Sequence, residues 1–132
     1  MADERLAFQV EVIPDHSSVF KRAHRDRVKN GVARPSAFEP HGDGLSVDWD
    51  RYSTADATLS RTTNNPANSA VVQMGVGPIR AIRDGLDVIH DPLPNNQAHS
   101  LVNLPEDRVE ETAVRLKLSQ LATIVIHASA IP

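Results

Sequence analysis

Pro105-Glu106-Asp107-Arg108-Val109-Glu110-Glu111-Thr112-Ala113-Val114-Arg115-Leu116-Lys117-Leu118-Ser119-Gln120-Leu121-Ala122 runs directly into Thr123-Ile124-Val125-Ile126. Whether the first part is helix or strand separates an α+β domain from an all-β one. Acids occupy its opening turn and Arg115 and Lys117 come later, the order a helix dipole favours. Glu111 precedes Arg115 by four residues, the favourable direction for a helical ion pair. The apolar face reads as Val109, Ala113, Leu116 and Leu121, widened by Val114 and Leu118. Val114 to Leu118 also alternates like a strand, but length and end signals favour a helix from Pro105 to about Ala122. Thr123 to Ile126 then reads as a closing strand.

Upstream, the periodicity changes to two. Leu6-Ala7-Phe8-Gln9-Val10-Glu11-Val12 alternates and predicts a strand, stopped at Pro14-Asp15. Ser18 to Arg22 fits a short strand or the start of a basic helix, and Lys29-Asn30-Gly31 signals a turn. Leu45 to Trp49 alternates. Ser53-Thr54-Ala55-Asp56 has capping-box form, with Asp56 replacing the usual longer side chain, ahead of a short helix to about Arg61. Ala70 to Val76 reads as a buried strand, Gly77-Pro78 as a brief helix start, and Leu86 to Ile89 and Ser100 to Val102 as further strands. The expectation is one α+β domain over residues 1–132, with a strand-like N-terminal extension at 1–18. Its sheet is mixed or antiparallel, of about five short strands, with the C-terminal helix packed on it.

Composition narrows the function classes. A chain of 132 residues suits one domain with its own core. Only five aromatic residues are present, so that core is mostly aliphatic. Cysteine is absent, which removes disulfides, thiolate metal sites and a Cys nucleophile. The net charge of −3 argues against general nucleic-acid binding, which needs a basic surface. One basic run, Lys21 to Lys29, reads as a solvated face. No signal-peptide pattern or membrane-length apolar run is seen, and a soluble, cytoplasmic protein is expected.

Chemistry-bearing residues gather in two polar loops. One is His90-Asp91-Pro92-Leu93-Pro94-Asn95-Asn96-Gln97-Ala98-His99; the other is His41-Gly42-Asp43-Gly44 leading into Leu45-Ser46-Val47-Asp48-Trp49. Asp91 or Asp48 could orient His99 or His90 as a general base, with Ser36, Ser46 or Ser100 as nucleophile. No Gly-x-Ser-x-Gly elbow is present. Arg34, Arg61 and Arg80 could converge on an anion, because a guanidinium fork matches phosphate and carboxylate. Gly75-Val76-Gly77-Pro78 offers backbone amides to the same end but lacks the nucleotide-binding glycine patterns. A metal could use His41, Asp43, His90, Asp91 and His99, yet no helical ligand spacing occurs, and neither metal nor cofactor is expected. Taken singly, each residue is also explained by turn formation or surface pairing.

An ordered set of segments carries a resemblance. Val19-Phe20-Lys21-Arg22, Arg34-Pro35-Ser36-Ala37-Phe38, Gly44 to Asp48, Tyr52-Ser53-Thr54 and Asp91-Pro92-Leu93-Pro94 through Ala98-His99 resemble a family of short uncharacterised bacterial proteins, across roughly residues 19–127. That resemblance implies a shared plan for the polar loops and supplies no activity. The leading expectation is a binding module for a partner protein or small anionic ligand, using Arg34, Ser36, Ser46, Arg80 and Asn95. The rival is a small hydrolase or transferase with His99, Asp48 and Asp91 as its acid–base groups. An ADP-ribosyl-transferase-like reading lacks its Ser-Thr-Ser strand and Glu-x-Glu loop.

Overall fold

A computed structural model describes residues 8–42 and 44–129. The described residues form eight strands: β1 (Ser18–His24), β2 (Val28–Lys29), β3 (Val32–Ala33), β4 (Leu45–Trp49), β5 (Ser69–Gly75), β6 (Val88–His90), β7 (His99–Val102) and β8 (Thr123–Ile126). Among the described residues three α-helices accompany them: α1 (Ala55–Ser60), α2 (Val76–Arg80) and α3 (Arg108–Leu121). Six strands make one antiparallel sheet in the order β6-β7-β4-β1-β5-β8, while β2 and β3 form a separate hairpin. The α+β class and the C-terminal helix are as expected, with six strands in the main sheet rather than about five. Asn30 and Gly31 both hold positive φ, 55° and 75°, which matches the twist of a two-residue hairpin turn.

Strand pairing sorts side chains onto two faces. Val19 lies opposite Trp49 and Met74, Leu45 opposite Val102, and Val88 opposite Val102, so these share one face. Against them pack Val76 and Ile79 of α2, Val114 and Leu118 of α3, and Phe38 from the 3₁₀ turn Pro35–Phe38. Helix α3 starts at an Asp107 cap, whose carboxylate accepts from the Glu110 N–H at 3.0 Å. Its buried residues are Val114, Leu118 and Ser119, while Val109 and Leu116 are 79% and 49% exposed. The apolar face read from the sequence is therefore rotated. Ser119 fixes the docking side by donating to the Ala33 carbonyl at 2.5 Å, beside the fully buried Leu118.

The other face carries Phe20 opposite Asp48, Asp48 opposite His99, and Ser46 opposite Leu101. Helix α1, capped by Thr54 rather than Ser53, packs on β1 and β5 there. It covers part of this face and leaves the β4–β7 side open.

Before β1 the described residues form no strand; Leu6 and Ala7 lie outside the described residues. Of the alternating apolar set, Val10 and Val12 are exposed, and burial falls to Ile13. Side chains hold this segment instead of a neighbouring strand. Glu11 N–H donates to His90 Nδ1, and Arg80 donates to the Ile13 carbonyl. It is a strap across the sheet end.

Candidate functional site

The open face holds a cleft of about 420 Å³. Its floor comes from β1 and β4 with His99 of β7, one wall from Thr58 and Arg61 of the α1 end, and the other from Leu93, Asn95 and Asn96. The loop at 90–99 thus meets the strand at 45–49. Backbone bonds between Leu93 and Asn96 close a tight turn inside the loop, so its prolines serve a defined bend.

Asp48 is the knot of the cleft. Its side chain is 7% exposed. Oδ2 accepts from Thr58 Oγ1 at 2.8 Å and Arg61 Nη1 at 2.9 Å, while Oδ1 accepts from Asn96 Nδ2 at 2.8 Å. Both oxygens are engaged, so the carboxylate latches β4 to α1 and to the loop. It makes no hydrogen bond to His99 even though the two lie opposite each other in the sheet. The acid–base role expected for Asp48 is replaced by this latch.

His99 sits in a different chain of bonds. Its Nδ1 lies 2.8 Å from the Asp91 carbonyl oxygen and 3.2 Å from Asp91 Oδ2. A carbonyl oxygen only accepts, so Nδ1 carries the proton and Nε2 of the neutral ring is an acceptor. That Nε2 stands 3.2 Å from Ser46 Oγ. Ser46, His99 and Asp91 therefore form a line, with the serine hydroxyl exposed on the cleft floor.

His90 has another fate. It is 2% exposed, accepts from Glu11 N–H at Nδ1 and bonds the Gln97 carbonyl through Nε2 at 2.7 Å. Its ring meets Trp49 edge-on and stacks near Tyr52. With both nitrogens used, it is a core histidine. His41 lies in the turn that bridges to Gly44, and Asp43 lies outside the described residues. Among the described residues no three His, Asp or Glu side chains gather to hold a metal ion.

Two guanidiniums reach the lining. Arg22 donates to the Thr58 carbonyl at 2.7 Å, and Arg61 donates to Asp48 and to Ser53 Oγ at 2.8 Å. Each guanidinium uses Nη1 for these bonds, and its other N–H groups make no hydrogen bond among the described residues. Lys21 borders the cleft along β1, but alternation from Val19 turns its side chain to the opposite face of the sheet, where it has no hydrogen bond or ion pair among the described residues. Burial pushes its ammonium down to about 8, Arg22 pushes the same way, and Asp48 offsets part of this.

The remaining expected ligands lie elsewhere. Arg34 is exposed beside the turn Pro35–Phe38, and Ser36 offers its carbonyl to Arg27. That turn packs with α3 on the opposite side of the sheet. Arg80 is consumed by Asp15, Asp87 and the Ile13 and Val88 carbonyls. Burial opposes its charge, but the two carboxylates outweigh this and raise its pKa. The amides at Gly75-Val76-Gly77 are spent too: Val76 N–H bonds the Ser17 carbonyl and Gly77 N–H the Asp15 carbonyl. Of the expected anion-binding arginines, only Arg61 reaches the cleft. Arg22 was hidden in a basic run, and strand alternation from Phe20 is the signal that places it on this face.

No helix among the described residues is long and apolar enough to cross a membrane. No family model matches the chain, and neither the curated proteins nor the solved structures give a match.

Proposed function

We propose that the protein binds a small anionic ligand, a phosphate ester or carboxylate, in the open-face cleft. One observation carries the reading: a chain of net charge −3 brings Arg22 and Arg61 to one concavity whose only lining carboxylate among the described residues, Asp48, is already engaged. The cleft volume lies within the range of small-molecule sites. Guanidinium N–H groups left free by the structural bonds can pair with phosphate or carboxylate oxygens. A cytoplasmic setting, rich in small anions, suits such a site.

Thermal unfolding with inorganic phosphate, phenyl phosphate and succinate tests the reading. A ligand present at ten times its dissociation constant raises stability by about 1.4 kcal/mol, a shift of a few degrees for a domain of this size. Arg22→Gln should remove most of that shift, and raised salt should weaken it. Equal responses from wild type and variant, or none to any anion, would contradict it.

A further inference from the structure

We propose that Ser46 is a nucleophile, activated by His99, for acyl transfer from esters that carry an anionic group; the substrate class rests on the anion-binding reading above. Three conditions for a hydroxyl nucleophile meet at one place. The hydroxyl is exposed on the floor of a cleft. A histidine nitrogen stands 3.2 Å from it, within reach of proton transfer. The ring's far nitrogen is fixed by the Asp91 carbonyl at 2.8 Å, which leaves the near nitrogen free to accept.

The cation placement adds the substrate class. Phe20 lies opposite Asp48 across β1 and β4. Arg22 is two residues beyond Phe20 and Ser46 two before Asp48, so antiparallel geometry carries both to the same end of the cleft. An anionic substituent held by Arg22 brings a neighbouring acyl carbon over the Ser46 hydroxyl. Asn95, whose side chain makes no hydrogen bond among the described residues, supplies an N–H donor along the lining for the developing oxyanion.

In the first step Ser46 Oγ bonds to the ester carbon as its proton moves to His99 Nε2. Collapse breaks the carbon–alkoxy bond, and the same proton passes to the leaving oxygen. Water then adds to the acyl-serine, giving its proton to His99. When the carbon–Oγ bond breaks, that proton returns to Ser46 and the free acid departs. Ester and water are the only reactants, and no electrons are gained or lost.

Asp91 acts as a positioning residue, and its main-chain carbonyl makes the shorter bond. Asp91→Asn should therefore cost less than about tenfold in kcat with KM unchanged, whereas His99→Gln should cost at least about 100-fold.

Two reagents test the proposal on the full chain. Diisopropyl fluorophosphate is neutral and reports nucleophilicity alone, by intact mass and peptide mapping. Hydrolysis of 4-nitrophenyl acetate and of mono-4-nitrophenyl succinate reports the anionic preference. A single adduct on Ser46, lost in Ser46→Ala with its buried-Trp49 fluorescence unchanged, together with at least about tenfold faster turnover of the succinate ester, is the expected result. Absence of an adduct on Ser46, or equal labelling of Ser46→Ala, overturns the nucleophile whatever anions bind. An adduct on Ser46 with equal turnover of the two esters overturns the anionic substrate class, while the anion-binding reading stands or falls separately by the thermal shift with phosphate.

Discussion

Replacing Lys21 with methionine should stabilise this protein at neutral pH. The ammonium is held among buried strands with no ion-pair partner among the described residues, and its pKa falls from 10.5 to about 8. Each pKa unit corresponds to about 1.4 kcal/mol, so keeping the folded lysine charged at pH 7 costs about 3 kcal/mol relative to the unfolded chain. Methionine has similar length and no charge to desolvate. Because part of the lysine stem already packs, the expected net gain is about 1–3 kcal/mol. The sign with pH follows from proton counts. Between the folded pKa of about 8 and the unfolded 10.5, the unfolded state holds more protons, so raising pH through this window stabilises the wild type. Below pH 8 both states are protonated and the cost is fully present. Urea unfolding of both proteins at pH 7 and pH 10, followed by Trp49 fluorescence, gives the comparison. The variant's advantage should shrink by about 2 kcal/mol between those pH values. A variant less stable at pH 7, or an advantage that ignores pH, would refute the reasoning.

Other outcomes test the packing. Leu118→Ala should lose about 2–5 kcal/mol in denaturant unfolding, while Leu116→Ala on the outer side of α3 should lose under about 1 kcal/mol; equal losses would mean that the face is misassigned. Gly44→Ala would set a Cβ 2.7 Å from the Val102 carbonyl oxygen, so β4 or β7 must move and the melting temperature should drop by several degrees. Asp48→Ala removes the acceptor for Thr58, Arg61 and Asn96 at once and should cost about 3–5 kcal/mol, measured by urea unfolding. A loss under about 1 kcal/mol would show that the latch is not load-sharing.

Much of the sheet was legible because its strands are short alternating or β-branched runs between turn formers. Leu45 to Trp49 coincides with β4 and Ala70 to Val76 overlaps β5 for that reason, except that Val76 opens α2. The N-terminal run shows the limit of periodicity: Val10 and Val12 alternate as well as any strand, but Ile13 and the Glu11–His90 bond hold them in a strap. On α3, Val109 and Leu116 compete with Val114 and Leu118 for the inward side, and the partner that settles it, Ala33, lies 86 residues from Ser119. The histidines separate for a similar reason. His90 and His99 belong to one loop, yet Trp49, Tyr52 and Glu11 bury one while Ser46 and Asp91 frame the other. Such long-range partners leave no local mark. Arg34 and Arg80 were plausible anion ligands by residue type alone, and the fold spends or removes both.

Amide NMR titration with phenyl phosphate tests the central claim most directly. The account predicts saturable shifts concentrated at Arg22, Ser46 to Asp48, Arg61, and Asn95 to His99, with the surroundings of Arg34 and Arg80 unchanged. Shifts centred on Arg34 or Arg80, or none beyond the effect of ionic strength, would contradict it.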